Sequence, residues 1–303
     1  MPANDKQELI IHVPKEFSFQ QNISYLSHAK NECMFSIRDD KIFKAIPIAD
    51  EISLVEISEA TDGNLLVHFL GNTRPVSTRV SDGVTDYIRN WFDLDNDLKP
   101  FYEMAKKDPL LHKAVKEFYG LRSIGIPDFF ETFCWGIIGQ QINLTFAYTL
   151  KRRFVETFGS SIKWEGEQYW IFPEPEIIAA LTVEDLTPLK MTTRKCEYLI
   201  EIAQLIATEE LTKELVMNAD NFKDAEKMLT KIRGIGPWTA NYVLMRCLRF
   251  PNAFPLADVG LQNAIKFLTG AKEKPTREEV LELSIPWKDW ESYAIFYLWR
   301  FLY

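Results

Sequence analysis

The chain has 303 residues, 47% hydrophobic and 26% charged, the balance of a globular protein of two or three domains rather than a disordered or fibrous chain. Its formal net charge of −8, from 35 bases and 43 acids, excludes wrapping a polyanion by bulk charge and leaves only a local basic face for that work. No apolar run is long enough to span a bilayer, the start Met1–Glu8 is polar with no signal-peptide pattern, and the four cysteines and four histidines show no metal-ligand spacing, so the expectation is a cytoplasmic protein with no membrane contact and no metal centre.

Residues 1–100 read as a β-rich antiparallel domain. Leu9–Val13, Ile42–Ile48 and Leu65–Leu70 carry β-branched and aromatic side chains, and Asp62-Gly63-Asn64 is a hairpin turn signal before the last of them. Val84–Leu94 reads as a helix leaving the sheet.

From 101 to 303 the pattern is helical, so the fold class is α+β with a mainly helical second domain. Asp108-Pro109 is an N-cap with proline at the first helical position, leading into Leu110–Phe118. Asp128–Ile138 is apolar nearly all round and reads as a central buried helix. Gly139–Asn143 interrupts it before Leu144–Phe158. Tyr169–Phe172 is a short aromatic segment. Thr182–Asp185 resembles a capping box, Thr193–Thr208 is amphipathic, and Phe222–Ile232 and Trp238–Leu248 flank a Gly-Ile-Gly turn. Asp258–Leu268 is a further helix, Thr276–Glu279 is a capping box, and the aromatic stretch Trp287–Phe301 closes the helical pattern.

The most specific stretch is Lys227–Lys272. It holds seven bases and a single acid, Asp258. Within it, the glycines Gly234 and Gly236 permit positive φ and close backbone approach. Pro237 fits the first position of the next helix, whose amides and dipole suit a phosphate oxygen. The same pattern also fits a tight turn between helices, and the bases also fit a solvated helix face. Asp258 sits where an N-cap belongs. A carboxylate placed there can equally stabilise a developing sugar cation.

These residues resemble the helix-hairpin-helix DNA glycosylases, and among them the bacterial 3-methyladenine DNA glycosylase II group. The resemblance rests on Gly234-Ile-Gly-Pro-Trp-Thr-Ala-Asn-Tyr242 with Asp258 twenty residues after Trp238. Gly136-Ile-Ile-Gly-Gln-Gln-Ile142 and Trp290-Glu-Ser-Tyr-Ala-Ile-Phe-Tyr-Leu-Trp299 support it. It covers residues 105–303, and a β-rich domain ahead of the helices also belongs to that group.

The resemblance implies a monofunctional N-glycosylase of DNA repair. It would flip alkylated purines, of the 3-methyladenine and 7-methylguanine class, out of double-stranded DNA and leave an abasic site. Asp258 matches the catalytic aspartate. Trp238, Tyr242 and Trp299 match positions lining the base pocket, although Trp299 also fits a core tryptophan. Arg233, Gly234 and Gly236 fall in the phosphate clamp of the helix-hairpin-helix, residues 222–248, which in relatives can hold a monovalent cation; no other cofactor is implied. Gln140 and Gln141 fall in the loop that fills the gap left by the extruded base, and Gln141 stands where a relative has an apolar wedge. The expected assembly is a monomer. Two other readings stay open. One is an oxidised-purine glycosylase with lyase activity, which needs a lysine where Trp238 stands. The other is a non-catalytic DNA-binding module.

Overall fold

Alternation along one strand explains how the two halves of the molecule are joined. The computed structural model describes residues 8–29, 31–71, 73 and 77–302; the start at 1–7, read above as polar, lies outside them. A five-stranded antiparallel sheet has the order β1-β5-β4-β3-β2. Its strands are β1 (Glu8–Ile11), β2 (Ser36–Arg38), β3 (Lys41–Ile48), β4 (Glu51–Glu59) and β5 (Leu65–Phe69). In β3, Ile42 and Ile46 join the main core, which also takes residues of α1 (Phe19–Ser27) and α2 (Thr78–Trp91). Phe43 and Ala45 point the other way, into a second cluster with Tyr169 and Ile171. Those two belong to a hairpin, β6 (Ser160–Trp164) and β7 (Glu167–Ile171). A strand covered on both faces reads as a near-continuous apolar run.

Some sequence expectations shift. The turn at Asp62–Asn64 forms, with Gly63 at φ +83° and Asn64 N–H bonded to Asp62 Oδ1 at 3.1 Å. Strand β1 stops at Ile11 rather than Val13, because the Val13 N–H goes to the Asn64 side chain at 3.1 Å. Helix α2 begins at Thr78, six residues before the expected start. Gly83 lies inside that helix. A Cβ at Gly83 would sit 2.6 Å from Ile48, so glycine lets the helix lie close on the sheet.

The remaining helices are α3 (Lys99–Ala105), α4 (Leu111–Glu117), α5 (Phe129–Ile138), α6 (Leu144–Phe158), α7 (Pro175–Ala179) and α8 (Val183–Leu186). They are followed by α9 (Thr193–Ala207), α10 (Lys213–Met217), α11 (Phe222–Thr230), α12 (Pro237–Arg246), α13 (Val259–Thr269), α14 (Arg277–Ser284) and α15 (Glu291–Trp299). Helix α5 is buried at every position, as its all-round apolar pattern requires. It crosses α12 closely: a Cβ on Gly136 would meet Thr239 at 2.7 Å. Asp108 accepts the N–H groups of Leu110 and Leu111 ahead of α4, and its other oxygen accepts the Trp287 indole N–H at 2.8 Å. The last helix begins only at Glu291, because Asp289 takes φ +65° and breaks the turn before it. Among the described residues no helix is long and apolar enough to cross a membrane.

Candidate active site

Asp258 is the N-cap of α13, and its Oδ1 accepts the Leu261 N–H at 2.7 Å. Capping is only part of its role. Oδ1 also accepts the indole N–H of Trp299 at 2.8 Å, and Oδ2 accepts the indole N–H of Trp238 at 2.9 Å. Two tryptophans from different helices thus fix both oxygens of a carboxylate that is only 8% exposed. Gly260 makes room for this. A Cβ there would lie 2.9 Å from Asp258 Oδ1 and 3.1 Å from Trp299 Nε1.

These three residues line a cavity of about 1390 Å³ together with Tyr242. Trp238 and Tyr242, one turn apart on α12, stack with ring centroids 5.2 Å apart and planes 21° apart. The Tyr242 hydroxyl takes a hydrogen bond from Arg246 at 3.0 Å. Burial pushes its pKa up to about 12, so the ring is a neutral phenol at physiological pH. Trp299 is buried in the core and also lines the cavity.

The turn before α12 divides the roles of its two glycines. Gly234 has φ +85°, and a Cβ on it would lie 2.4 Å from the Tyr198 ring. Gly236 has φ −82°, ordinary for any residue, and nothing lies within 4 Å of where its Cβ would be. The first glycine serves backbone conformation and packing, and the second serves access. Helix α12 starts at Gly236 with no side-chain cap and with Pro237 in its first turn. Its leading amides are therefore open to an anion.

The Gln140–Gln141 loop is split in the same way. Gln140 donates its amide N–H to the Gly234 carbonyl at 2.9 Å and to Thr239 Oγ1 at 3.2 Å. It braces the loop against the hairpin rather than standing free. Gln141 is exposed, in the left-handed region at φ +56°, and is the one of the pair aimed outward.

The basic stretch is less of a surface than its composition suggests. Arg246 is buried, with Nε on the Ile124 carbonyl at 2.9 Å. Arg249 reaches the Ser123 carbonyl at 2.6 Å and also bonds the carbonyls of Asn90 and Trp91. Both tie the helical core to the segment before α5, so they leave the expected basic face. Arg233 remains at the surface but is paired with Glu197 and, at 3.8 Å, with Glu201, over the face of Tyr198.

Sequence reasoning missed the inner wall of the cavity. Tyr25 of α1, Lys44 of β3, Tyr87 and Trp91 of α2, Glu131 and Trp135 of α5, and Tyr148 and Lys151 of α6 all line it. Glu131 and Trp135 are i, i+4 neighbours, as are Tyr87 and Trp91, so helical spacing marks them as faces. No local motif marks them as one site.

Comparison with known proteins places this geometry. Residues 134–289 match the family described as HhH-GPD superfamily base excision DNA repair protein. Residues 11–133 match the N-terminal domain of 8-oxoguanine DNA glycosylase. The chain is 57% identical over 295 residues to the DNA-3-methyladenine glycosylase of Bacillus subtilis strain 168, covering 97% of each. Its fold is similar to that of 3-methyladenine DNA glycosylase from Archaeoglobus fulgidus, with TM-score 0.80, 23% identity and 97% of each chain covered. It is also similar to the 8-oxoguanine glycosylase/lyase of Clostridium acetobutylicum in complex with double-stranded DNA, with TM-score 0.73, 18% identity and 98% of each chain covered.

Proposed function

The chain belongs to the HhH-GPD superfamily of base excision DNA repair proteins and removes alkylated bases as a DNA-3-methyladenine glycosylase, and we propose that Asp258 is the group that drives cleavage of the N-glycosyl bond. The observation that carries this is the double indole clamp on Asp258 at the wall of the cavity.

In this reading, duplex DNA docks with a phosphate on the open amides at the start of α12, assisted by nearby bases. This contact carries no base code. Gln141 enters the space left by the extruded base. Extrusion costs a few kcal/mol, least for a damaged or poorly stacked base. The base seats against Trp238, Tyr242 and Trp299. A cationic alkylated purine over such rings gains about 0.5–2 kcal/mol, which favours that class over neutral bases.

The bond from C1′ to the base nitrogen then breaks with its electron pair going to the base. A cationic purine leaves as a neutral one, so no strong general acid is required. Positive charge develops on the sugar, and the Asp258 carboxylate stabilises it. Because the indoles hold both oxygens, the carboxylate is already oriented before charge develops. Water adds to C1′ and releases a proton to solvent, leaving an abasic site and an intact strand.

A lyase would need an amine at C1′. An indole stands at position 238. The cavity lysines are engaged elsewhere: Lys151 with Glu32 and Glu131, and Lys44 with the Met34 carbonyl at 2.9 Å. The reading needs double-stranded damaged DNA as partner and a single chain, working in the cytoplasm. Its test is turnover on a duplex containing 7-methylguanine with borohydride present. Release of free base without a protein–DNA crosslink is expected. A stoichiometric crosslink with strand cleavage at the rate of base loss would overturn it.

A further inference from the structure

The cavity is larger than one base needs. Its volume of about 1390 Å³ exceeds the ~300–1,000 Å³ typical of small-ligand pockets. Away from Asp258 it runs along Trp135, which packs on Tyr148 with centroids 4.6 Å apart, to a polar inner wall on α5, α6 and β3. That wall holds a charge cluster that the catalytic reading does not use.

Lys151 Nζ lies at the centre of the cluster. It donates to both oxygens of Glu32, at 3.1 and 2.9 Å, and to Glu131 Oε1 at 2.8 Å. Glu32 Oε1 also accepts the backbone N–H groups of Cys33 at 2.8 Å and Met34 at 3.0 Å. Every oxygen of Glu32 and Oε1 of Glu131 is thereby engaged. Oε2 of Glu131 is different: among the described residues it has no hydrogen-bond partner, although Glu131 is only 6% exposed and lines the cavity. That oxygen is not one of the sealed, unpaired polar atoms of the described residues; it is reached from the cavity and can accept from what enters it.

We propose that Glu131 is a specificity-determining residue whose free Oε2 accepts an N–H from the edge of the extruded purine remote from its glycosidic bond. This rests on the base-excision reading above and names which alkylated bases the site favours. 3-Methyladenine offers its exocyclic amino group there. 7-Methylguanine offers its ring N1–H and its 2-amino group. Alkylation draws electron density from the ring and makes those N–H groups better donors, and a carboxylate acceptor makes the bond charge-assisted. Lys151 acts as a positioning residue that holds Oε1, so that Oε2 stays turned to the cavity. The favoured ligands are purines that combine an electron-poor ring with a surviving N–H donor. Adducts that convert that edge to a closed ring without N–H are disfavoured.

The test compares single-turnover base release from duplexes carrying 7-methylguanine and 1,N6-ethenoadenine, whose etheno ring leaves no such N–H. Glu131→Gln keeps the shape and an oxygen for Lys151 but replaces the free acceptor with a donor. It should cut 7-methylguanine release by about ten- to a hundredfold, the range for a hydrogen bond to a charged group, and change ethenoadenine release little. Glu32→Gln perturbs the same cluster without touching the free oxygen, so it should leave the ratio of the two rates unchanged. Equal slowing of both lesions by Glu131→Gln, no slowing, or the same ratio change in Glu32→Gln would overturn the assignment. If Glu131→Gln fails to fold, the wild-type chain decides. Free 3-methyladenine should inhibit turnover at least about tenfold better than 3-methylpurine, the same ring without the amino group. Equal inhibition would refute the contact. Failure of the wild-type chain to release 7-methylguanine at all would instead sink the base-excision reading.

Discussion

The indole N–H of Trp299 donates to Oδ1 of Asp258 across 2.8 Å, tying the last residue of α15 to the cap of α13. The same oxygen holds the first turn of α13 through the Leu261 N–H. One atom therefore links helix capping to the orientation of the proposed catalytic carboxylate. Trp238 completes the arrangement on the second oxygen.

Replacing Trp299 with phenylalanine keeps an aromatic face in the cavity and removes only the N–H. Base release from methylated duplex should slow by about ten- to a hundredfold, the range for losing a hydrogen bond to a charged group, while duplex affinity stays near wild type. If release is unchanged, the clamp has no catalytic role and Trp299 acts only as a π face or core residue.

Gly260→Ala tests the same geometry from the other side. The added methyl would meet Asp258 Oδ1 at 2.9 Å and Trp299 Nε1 at 3.1 Å. Alanine suits a helix better than glycine by about 0.8–1 kcal/mol, so the thermal midpoint should change little. Activity should fall about tenfold or more. An alanine variant as active as wild type would mean that the carboxylate tolerates displacement.

Arg233 is held by Glu197 and Glu201 in the free protein, and its hydrogen bond to Glu197, together with that carboxylate's charge, raises its pKa above the ordinary guanidinium value. A phosphate at the hairpin must compete with these acids. Glu197→Gln should therefore tighten binding to damaged and undamaged duplexes alike. The slope of log affinity against log salt should steepen by about 0.9, one more phosphate neutralised. Fluorescence anisotropy across a salt series measures both. Weaker binding, or an unchanged slope, would place Arg233 outside the interface.

The buried cluster predicts an acid limit to stability. Burial alone would raise the Glu32 pKa, but the charge and hydrogen bonds of Lys151 outweigh it and hold it below the ordinary value of 4.5. A depressed carboxylate stabilises the fold above its unfolded pKa and loses that contribution as pH falls through its folded pKa. Urea midpoints should be flat near neutrality and drop below about pH 4.5. Glu32→Gln should lower the midpoint at pH 7 and weaken the acid dependence. An acid limb identical to wild type would show that Glu32 does not govern it.

Periodicity and motif spacing located what is local. The buried helix α5, the turn at Gly234, the cap at Asp258 and the capping box at Thr276 lie where their residues predict. Long-range features did not show in the sequence. Strand β4 mixes polar residues into its run without strict alternation, and the hairpin β6–β7 carries charges at its turn, so the sequence shows at most the aromatic half of the hairpin until Leu54, Tyr169 and Ile171 meet Phe43 and Ala45. Arg246 and Arg249 read as surface bases because spacing cannot reveal the carbonyls of Ile124 and Ser123, more than a hundred residues away, that they meet. Glu131 and Lys151 carry no local signal for the same reason: only the packing of α5 on α6 and of the segment holding Glu32 brings them together.

The central claim, that Asp258 drives N-glycosyl cleavage, is tested most directly by single-turnover release of 7-methylguanine from a duplex by Asp258→Asn. Asparagine caps a helix about as well as aspartate, so folding and DNA affinity should stay near wild type. It carries no charge to stabilise the sugar cation, and its amide nitrogen cannot accept an indole N–H. The account predicts that base release falls by at least about a hundredfold, on the scale of removing one preorganised electrostatic group. Release within about threefold of wild type, from a folded variant that binds the duplex normally, would contradict it.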